Sequence, residues 1–222
     1  MPDTLAPVQR LRRHRRVSAF VGFFLLHALL PTYASAQALE ARSFELSSDP
    51  GVVILRMSEP PAGLAVTDVP TLTLYADGRL VVERPAYLKQ SGTYEKMLGS
   101  AELQALVKSL LDRGLGDFEV PTMRDRKQQL SRERAQAHFS DPTGPGATVS
   151  IVSDLGTTRI ELALAGYAVG RSASQPLAKT IVWSGVEHDA ELYPEVPELR
   201  ALAEAVAELR SIMSSSDLVQ TR

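Results

Sequence analysis

The sequence predicts an α+β protein in which one antiparallel sheet, built from two hairpins, is packed on one face by two amphipathic helices. Three observations lead to this fold class. A strong turn signal joins two short apolar runs within 71–83, and a second set of alternating apolar residues follows within 149–164. Segments 100–114 and 197–213 carry apolar residues at the spacing that lines one face of a helix.

The first hairpin is the clearest local signal in the chain. Two runs rich in β-branched residues, 71–75 and 80–83, flank Asp77-Gly78. This dipeptide favours a type I′ turn, because aspartate and glycine tolerate the positive φ angles that the turn requires. A two-residue loop of this kind pairs Leu74 with Val81, so both faces of the ribbon carry apolar groups.

The segments that flank this hairpin give weaker signals. Residues 37–50 form a polar lead, and the apolar run 51–57 (GVVILRM) predicts an interior strand. Residues 86–99 show no regular period and are expected to be irregular, with Tyr87 and Tyr94 packed against the sheet.

Two amphipathic helices are expected to cover the sheet. The first begins with Ser100 as its N-cap and ends at Gly114, since glycine readily takes the positive φ of a C-cap. Its apolar face consists of Leu103, Leu106, Val107, Leu110 and Leu111. The second begins at Pro197, which suits the first turn of a helix. Its apolar face consists of Leu199, Leu202, Val206, Leu209 and Met213.

Between these helices the sequence predicts a charged linker and a second hairpin. The linker spans 119–146; its charged part could form a short exposed helix, and a loop follows it. The second hairpin places Val149 and Ile151 on one strand, a turn at 153–157, and alternating apolar residues on the other strand, namely Ile160, Leu162 and Leu164. A long connection then contains one strand-like piece, 180–183. Residues 37–222 are therefore expected to form a single domain of two hairpin–helix halves.

The N-terminus predicts export. Five arginines within 10–16 precede an apolar run at 17–30, and Ala34-Ser35-Ala36 matches a small-x-small cleavage site. This order is typical of a secretory signal peptide spanning 1–36, with cleavage after Ala36. An uncleaved signal anchor is the alternative, although 14 apolar residues are few for a span of roughly 20. We expect a periplasmic or secreted protein without a transmembrane span after cleavage.

Composition limits the function classes. Cleavage removes five of 24 basic and one of 26 acidic residues, which leaves 19 basic, 25 acidic and a formal charge of −6. Nucleic-acid binding is not expected of such an acidic chain. The chain has no cysteine, which excludes disulfides, thiolate nucleophiles and cysteine-based metal sites. No nucleophile elbow, phosphate-binding loop or HExxH motif is present, and no cofactor is expected.

The order of these elements resembles a protein family. The run PTLTLYADGRLVV, the helix that follows it, the second alternating hairpin and the leucine-rich terminal helix are similar to a group of uncharacterised exported bacterial proteins and lipoproteins with an LYADGR-type hairpin. This sequence lacks the lipobox cysteine of the lipoprotein members. The resemblance implies export and the fold, and it implies no activity.

One candidate site would hold a metal ion. His188 and Glu191 would share a face if their segment were helical, with Glu187 or Asp189 as support, so an imidazole and carboxylates could reach one divalent ion. Such a site would make the protein a metal-dependent or other hydrolase. The alternative is a solvated acidic loop that leads into the last helix.

The second candidate site is basic. It consists of Arg124, Arg126, Lys127, Arg132 and Arg134, which could bind an anionic surface or an envelope protein. The alternative is a mobile, solvated arm. Trp183, the one tryptophan, could be a contact site for a ligand or partner, or a packing residue of the core or of an edge strand. These features favour a non-enzymatic binding or interaction module of the cell envelope over a hydrolase, and a structural envelope protein that needs no ligand is a third possibility.

Overall fold

The computed structural model describes residues 41–60, 68–140 and 155–221. Within these ranges the chain forms eight strands and four helices, which confirms the α+β class. The strands are β1 (Arg42–Glu45), β2 (Val53–Ser58), β3 (Thr71–Tyr75), β4 (Arg79–Arg84), β5 (Gly92–Met97), β6 (Thr157–Val169), β7 (Gln175–Ser184) and β8 (Val219–Gln220). The helices are α1 (Ser100–Asp112), α2 (Val120–Ser140), α3 (Val186–Leu192) and α4 (Pro197–Met213). The predicted signal peptide lies outside the described residues and stays a prediction.

All strand pairs are antiparallel, and β6 organises the sheet. One edge of β6 pairs with β2 and, further along, with β1, whereas β7 pairs along its other edge. From β2 the sheet continues through β3, β4 and β5 to the short β8. With 13 residues, β6 is long enough to pair with these three strands. Its alternating burial separates a core face from an outer face.

The core lies between the inner face of the sheet and the helices. Leu72, Leu80 and Ile160 project from the sheet into one cluster with the apolar faces of α1 and α4. Every leucine and valine predicted for the α1 face is buried, as is every residue predicted for the α4 face. Each fully buried leucine contributes roughly 1.5–3 kcal/mol, so these faces supply most of the helix docking energy.

The ends of α1 differ slightly from the prediction. The N-cap is Gly99 rather than Ser100, and the Gly99 backbone N–H donates to the Glu102 carboxylate at 2.9 Å. At the other end Gly114 has φ +82°, and the backbone N–H groups of Gly114 and Leu115 donate to the carbonyls of Leu111 and Leu110. These paired bonds are those of a Schellman motif, which confirms Gly114 as the C-terminal stop.

The first hairpin exists, but its predicted register is wrong by one residue. Leu74 pairs with Leu80 rather than with Val81, so the loop has three residues instead of two. The Gly78 N–H donates to the Tyr75 carbonyl at 3.0 Å, and Gly78 takes a positive φ, of +90°. A turn followed by one left-handed glycine is the usual three-residue hairpin loop. The shift leaves Leu72, Leu74, Leu80 and Val82 on the core face.

The second hairpin is also displaced from its predicted position. It consists of β6 and β7, joined after Val169 through Gly170, which has φ +62°. The predicted turn at 153–157 is wrong at its end, because Thr157 already pairs with Ser184 in the sheet. Val149 and Ile151 lie outside the described residues. Much of the predicted connection 166–194 is therefore strand and helix.

Two strands replace segments that were expected to be irregular. Residues 42–45 of the polar lead form β1, and 92–97 form β5, which pairs with β4 over six residues. Tyr94 packs partly buried against the core, as predicted, whereas the prediction for Tyr87 is wrong because this side chain is 61% exposed.

The charged segment is the largest departure, because its helix is longer than predicted and is docked rather than exposed. Residues 120–140 of the predicted linker 119–146 form the 21-residue helix α2. Among the described residues no helix has both the length and the apolar character needed to cross a membrane.

A tyrosine fixes the loop between α1 and α2 to the sheet. The Tyr167 hydroxyl on β6 donates to Asp117 Oδ1 at 2.7 Å, and the Arg42 Nε on β1 donates to Asp117 Oδ2 at 2.8 Å. The ring lies against Gly116, where an added Cβ would approach its Cζ to 2.8 Å. Burial and the hydrogen bond to Asp117 raise the pKa of Tyr167 from 10.0 to about 12.

Replacing Tyr167 by phenylalanine is expected to lower the free energy of unfolding by about 1–2 kcal/mol at neutral pH, because Asp117 loses a donor. Since the folded-state pKa is raised, this tyrosine stabilises the fold below pH 10.0, and its contribution is lost as the pH rises toward about 12. Urea unfolding at pH 8 and pH 11.5 checks both effects. If the wild type and Tyr167→Phe lost the same free energy of unfolding between pH 8 and pH 11.5, this account of Tyr167 would be contradicted.

Candidate ligand-binding site

Helix α2 docks through a face that is only partly apolar. Its inward positions recur every three or four residues, but cations alternate with apolar side chains along them. These positions are Val120, Met123, Lys127, Leu130, Arg134 and His138. Met123 is buried in the core cluster, and the cations extend their aliphatic stems along the protein surface toward partners on other elements.

Lys127 ends at a buried carboxylate. Its Nζ lies 2.6 Å from Oδ2 of Asp189, a side chain on α3 that is 2% exposed. The same oxygen accepts a hydrogen bond from Trp183 Nε1 at 2.8 Å. Trp183 is itself buried at the end of β7 and meets Phe118 edge to face, with ring centroids 5.8 Å apart. One carboxylate oxygen thus joins α2, α3 and β7.

Tyr193, just after α3, also contacts Lys127, and we call Trp183, Asp189 and Tyr193 together the floor. Lys127 Nζ lies 5.8 Å from the centre of its ring, and the Arg134 guanidinium lies 4.9 Å from it, so the ring meets two cations. Arg134 also donates to the Leu192 carbonyl and to Glu195 Oε1, the latter at 2.9 Å. A hydrogen bond from the backbone of Glu195 and the hydrogen bond from Arg134 both lower the pKa of the Glu195 carboxyl.

Arg126 ties α2 to the beginning of α4. Arg126 donates to the Glu195 carbonyl at 2.7 Å and forms an ion pair with Glu198 at 3.2 Å. Both groups of this pair are well exposed, so the pair orients α2 and contributes little stability by itself. Together with Lys127 and Arg134, it holds the middle of the helix.

This docking leaves a cavity of about 530 Å³ beside α2, which we call the α2 cleft. The helix lines it with Arg124, Asp125, Lys127, Gln128 and Ser131. Trp183, Ser184 and Tyr193 form the remaining walls. Sites for small molecules commonly have volumes of roughly 300–1,000 Å³. The size of the α2 cleft is therefore that of a ligand site.

Several polar groups in the α2 cleft retain hydrogen-bonding capacity. Arg124 donates one hydrogen bond, of 3.1 Å, to the Val182 carbonyl at the end of β7. A guanidinium has five N–H donors, so four remain. Within the described ranges, the side chains of Gln128 and Ser131 bond to no other residue. The α2 cleft thus combines a fixed floor with unused donors and acceptors.

Comparison with known proteins adds no relative. No family model, curated protein or solved structure matches this chain. Its function must therefore be argued from its own residues.

The structure gives different roles to the predicted basic residues. Arg126, Lys127 and Arg134 form ion pairs that dock α2, so these side chains do not form a free, mobile arm. Arg124 lines the α2 cleft, and Arg132 is exposed without a side-chain partner among the described residues. Trp183 is 3% exposed and belongs to the floor of the cleft.

The predicted metal ligands lie on α3, and because this segment is helical, His188 and Glu191 are three residues apart on one side of it, as the prediction required. Glu187 pairs with Arg210 of α4, which also binds Glu59 at 2.5 Å, while the side chains of His188 and Glu191 contact no charged or hydrogen-bonding partner in the described part of the chain. The same part of the chain contains no group of three or more histidine, aspartate or glutamate side chains that could hold a metal ion.

Six residues of the site were not predicted from the sequence: Asp125, Gln128, Ser131, Ser184, Asp189 and Tyr193. Asp189 was considered only as support for a metal. Its spacing of six residues from Trp183 gives no pattern, because the contact depends on the bend at Gly185 between β7 and α3. Gln128 and Ser131 lie on the side of Arg124 in a helix over 120–140, whereas the sequence predicts only a short exposed helix in this segment.

Proposed function

We propose that this protein is an exported, non-enzymatic binding module that holds a polar ligand in the α2 cleft. The observation that carries the proposal is the combination in one cavity of about 530 Å³ of a rigid floor and unused hydrogen-bonding groups. Export is supported by the order of basic, apolar and small residues in the first 36 positions.

Rigidity of the floor favours binding. Asp189 is hydrogen-bonded or ion-paired to both Trp183 and Lys127, so the walls on β7, α3 and α2 are fixed relative to one another before a ligand arrives. A preformed site loses little conformational entropy on binding, which raises affinity for a given set of contacts. The polar groups above this floor then determine which ligand is accepted.

Native mass spectrometry tests the proposal. The protein is recovered from cells that express the full sequence, without denaturation, and its mass is compared with that of a Ser131→Trp variant. We expect a bound ligand on the wild type and none on the variant, because an indole at 131 fills the cleft.

A Gln136→Trp variant is the matched control, since this position is exposed on the same helix and lies outside the lining of the cleft. It should retain the ligand. A wild-type protein without added mass, or a Ser131→Trp variant that keeps the ligand, would contradict the proposed function.

A further inference from the structure

We infer that the α2 cleft selects a ligand that carries an oxyanion, namely a carboxylate or a phosphate group, and that Arg124 binds this group. The inference rests on the proposed function and goes beyond it by naming the ligand chemistry. It depends on how the positive charges of α2 are compensated within the described residues.

Three cations of α2 have an acidic partner. Arg126 pairs with Glu198, Lys127 with Asp189, and Arg134 with Glu195. Arg124 differs, because its hydrogen bond goes to a neutral backbone carbonyl and no ion pair joins it to an acid of the described ranges. Its charge therefore has no ion-pair partner within these ranges, and it lies at the wall of a cavity.

The contact with Val182 also orients the guanidinium. One N–H is directed at the end of β7, which fixes the plane of the group and leaves most of the fork for another acceptor. An arginine fork matches the two oxygens of a carboxylate or phosphate, and such charge-assisted bonds are about twice as strong as neutral ones. A prepositioned fork with an open side is thus suited to an oxyanion.

The other polar residues define the rest of the ligand. Gln128 and Ser131 follow Arg124 by four and seven residues on the same side of α2, so they continue the wall along the helix. Asp125 adds a negative charge to the lining and disfavours a second anionic group. The cavity is larger than one phosphate requires, so the ligand carries its oxyanion at one end and a neutral polar body beyond it.

Three related probes test this inference by amide chemical shifts of the uniformly ¹⁵N-labelled protein: glucose 6-phosphate, gluconate and neutral glucose. We expect both anions to shift amides at 124–131 and at Ser184 in a saturable manner, and glucose to leave them unchanged at the same concentration. Agreement between the two anions would identify the oxyanion itself as the recognised group, whichever kind of metabolite carries it.

Variants assign the effect to Arg124. Arg124→Gln should weaken binding of both anions at least about tenfold, as expected for loss of a charge-assisted hydrogen bond. Arg124→Lys keeps the charge without the fork, so its affinity for both anions should lie between those of the wild type and Arg124→Gln. Arg132→Gln removes one charge from the same helix, about 12 Å further along, and should change affinity by less than about twofold because solvent screens it. Unchanged melting temperatures establish that the variants are folded.

Three results would overturn the inference: equal binding of glucose and the anions, wild-type affinity in Arg124→Gln, or no shift with any probe. These failures are distinct from failure of the proposed function. If native mass spectrometry finds a ligand that Ser131→Trp excludes and Arg124→Gln retains, the α2 cleft is a binding site whose ligand is not selected by this arginine.

Discussion

Replacing Lys127 by methionine is expected to lower the free energy of unfolding by about 2–4 kcal/mol, because the change leaves a buried carboxylate without its counter-charge. Asp189 is 2% exposed. Two donors now contact its Oδ2, and of these only the Trp183 N–H would remain. The Lys127 side chain is 34% exposed, so the loss of unfolding free energy should be smaller than for a fully buried ion pair. The emission of Trp183, the single tryptophan, follows unfolding directly.

A double-mutant cycle separates this ion pair from other effects of the substitution. In an Asp189→Asn background the carboxylate is gone, so Lys127→Met should cost at least about 1 kcal/mol less than in the wild type. Arg132→Met, on the exposed side of the same helix, should change stability by no more than about 0.5 kcal/mol. Additive losses at Lys127 and Asp189 would contradict the role of this pair in docking α2.

Gly78→Ala is the second change with a large expected effect, about 3 kcal/mol or more of unfolding free energy, since strain and a steric clash combine. Gly78 has φ +90°, and an added Cβ would lie 2.5 Å from the backbone carbonyl oxygen of Leu98. That segment cannot move away easily, because the Leu98 N–H donates to the Gly78 carbonyl at 2.9 Å. Urea unfolding measures the loss.

Gly114→Ala is the matched control for this clash. Gly114 has a similar φ of +82°, but nothing lies within 4 Å of its added Cβ. This variant should therefore lose only the cost of a left-handed alanine, about 1–2 kcal/mol. Equal losses at the two glycines would show that the contact with Leu98 carries no energetic weight.

The parts of the fold that hydrophobic burial determines could be predicted from the sequence. Leu103, Leu106 and Leu110 mark the buried face of α1 at helical spacing, and Gly114 marks its end. The same pattern identifies α4 after Pro197. In both cases the residues that stabilise the helix are the ones that produce the periodic signal, so the pattern and the structure agree.

Helix α2 could not be predicted in this way, because specific ion pairs dock it. Along its inner face Lys127 and Arg134 occupy positions where leucines would produce a signal, and Met123 is the one buried residue of this helix. The partners of these cations, Asp189 and Glu195, lie about 60 residues later in the chain. Charge alone therefore suggested a solvated arm, and the α2 cleft that depends on this helix went unrecognised.

Strand β7 and the first hairpin show two further limits. The inward residues Leu177, Ile181 and Trp183 alternate as expected, but Lys179 interrupts them, because its amine reaches the Phe118 carbonyl at 3.1 Å. In the first hairpin, Asp77-Gly78 is compatible with loops of two or three residues. The register that buries Leu74 and Leu80 as a pair decides between them, and this depends on helices elsewhere in the chain.

Hydrogen–deuterium exchange over residues 120–140 tests most directly the claim that α2 is docked and forms the wall of the α2 cleft. A polar 21-residue helix is marginal on its own in water, so slow exchange there reports docking. We predict protection of the amides at 124–137 in the wild type and its loss in Lys127→Met, with α1 protected in both. Exchange of these amides at the rate of an unfolded peptide in the wild type would contradict the docked helix, and with it the binding site.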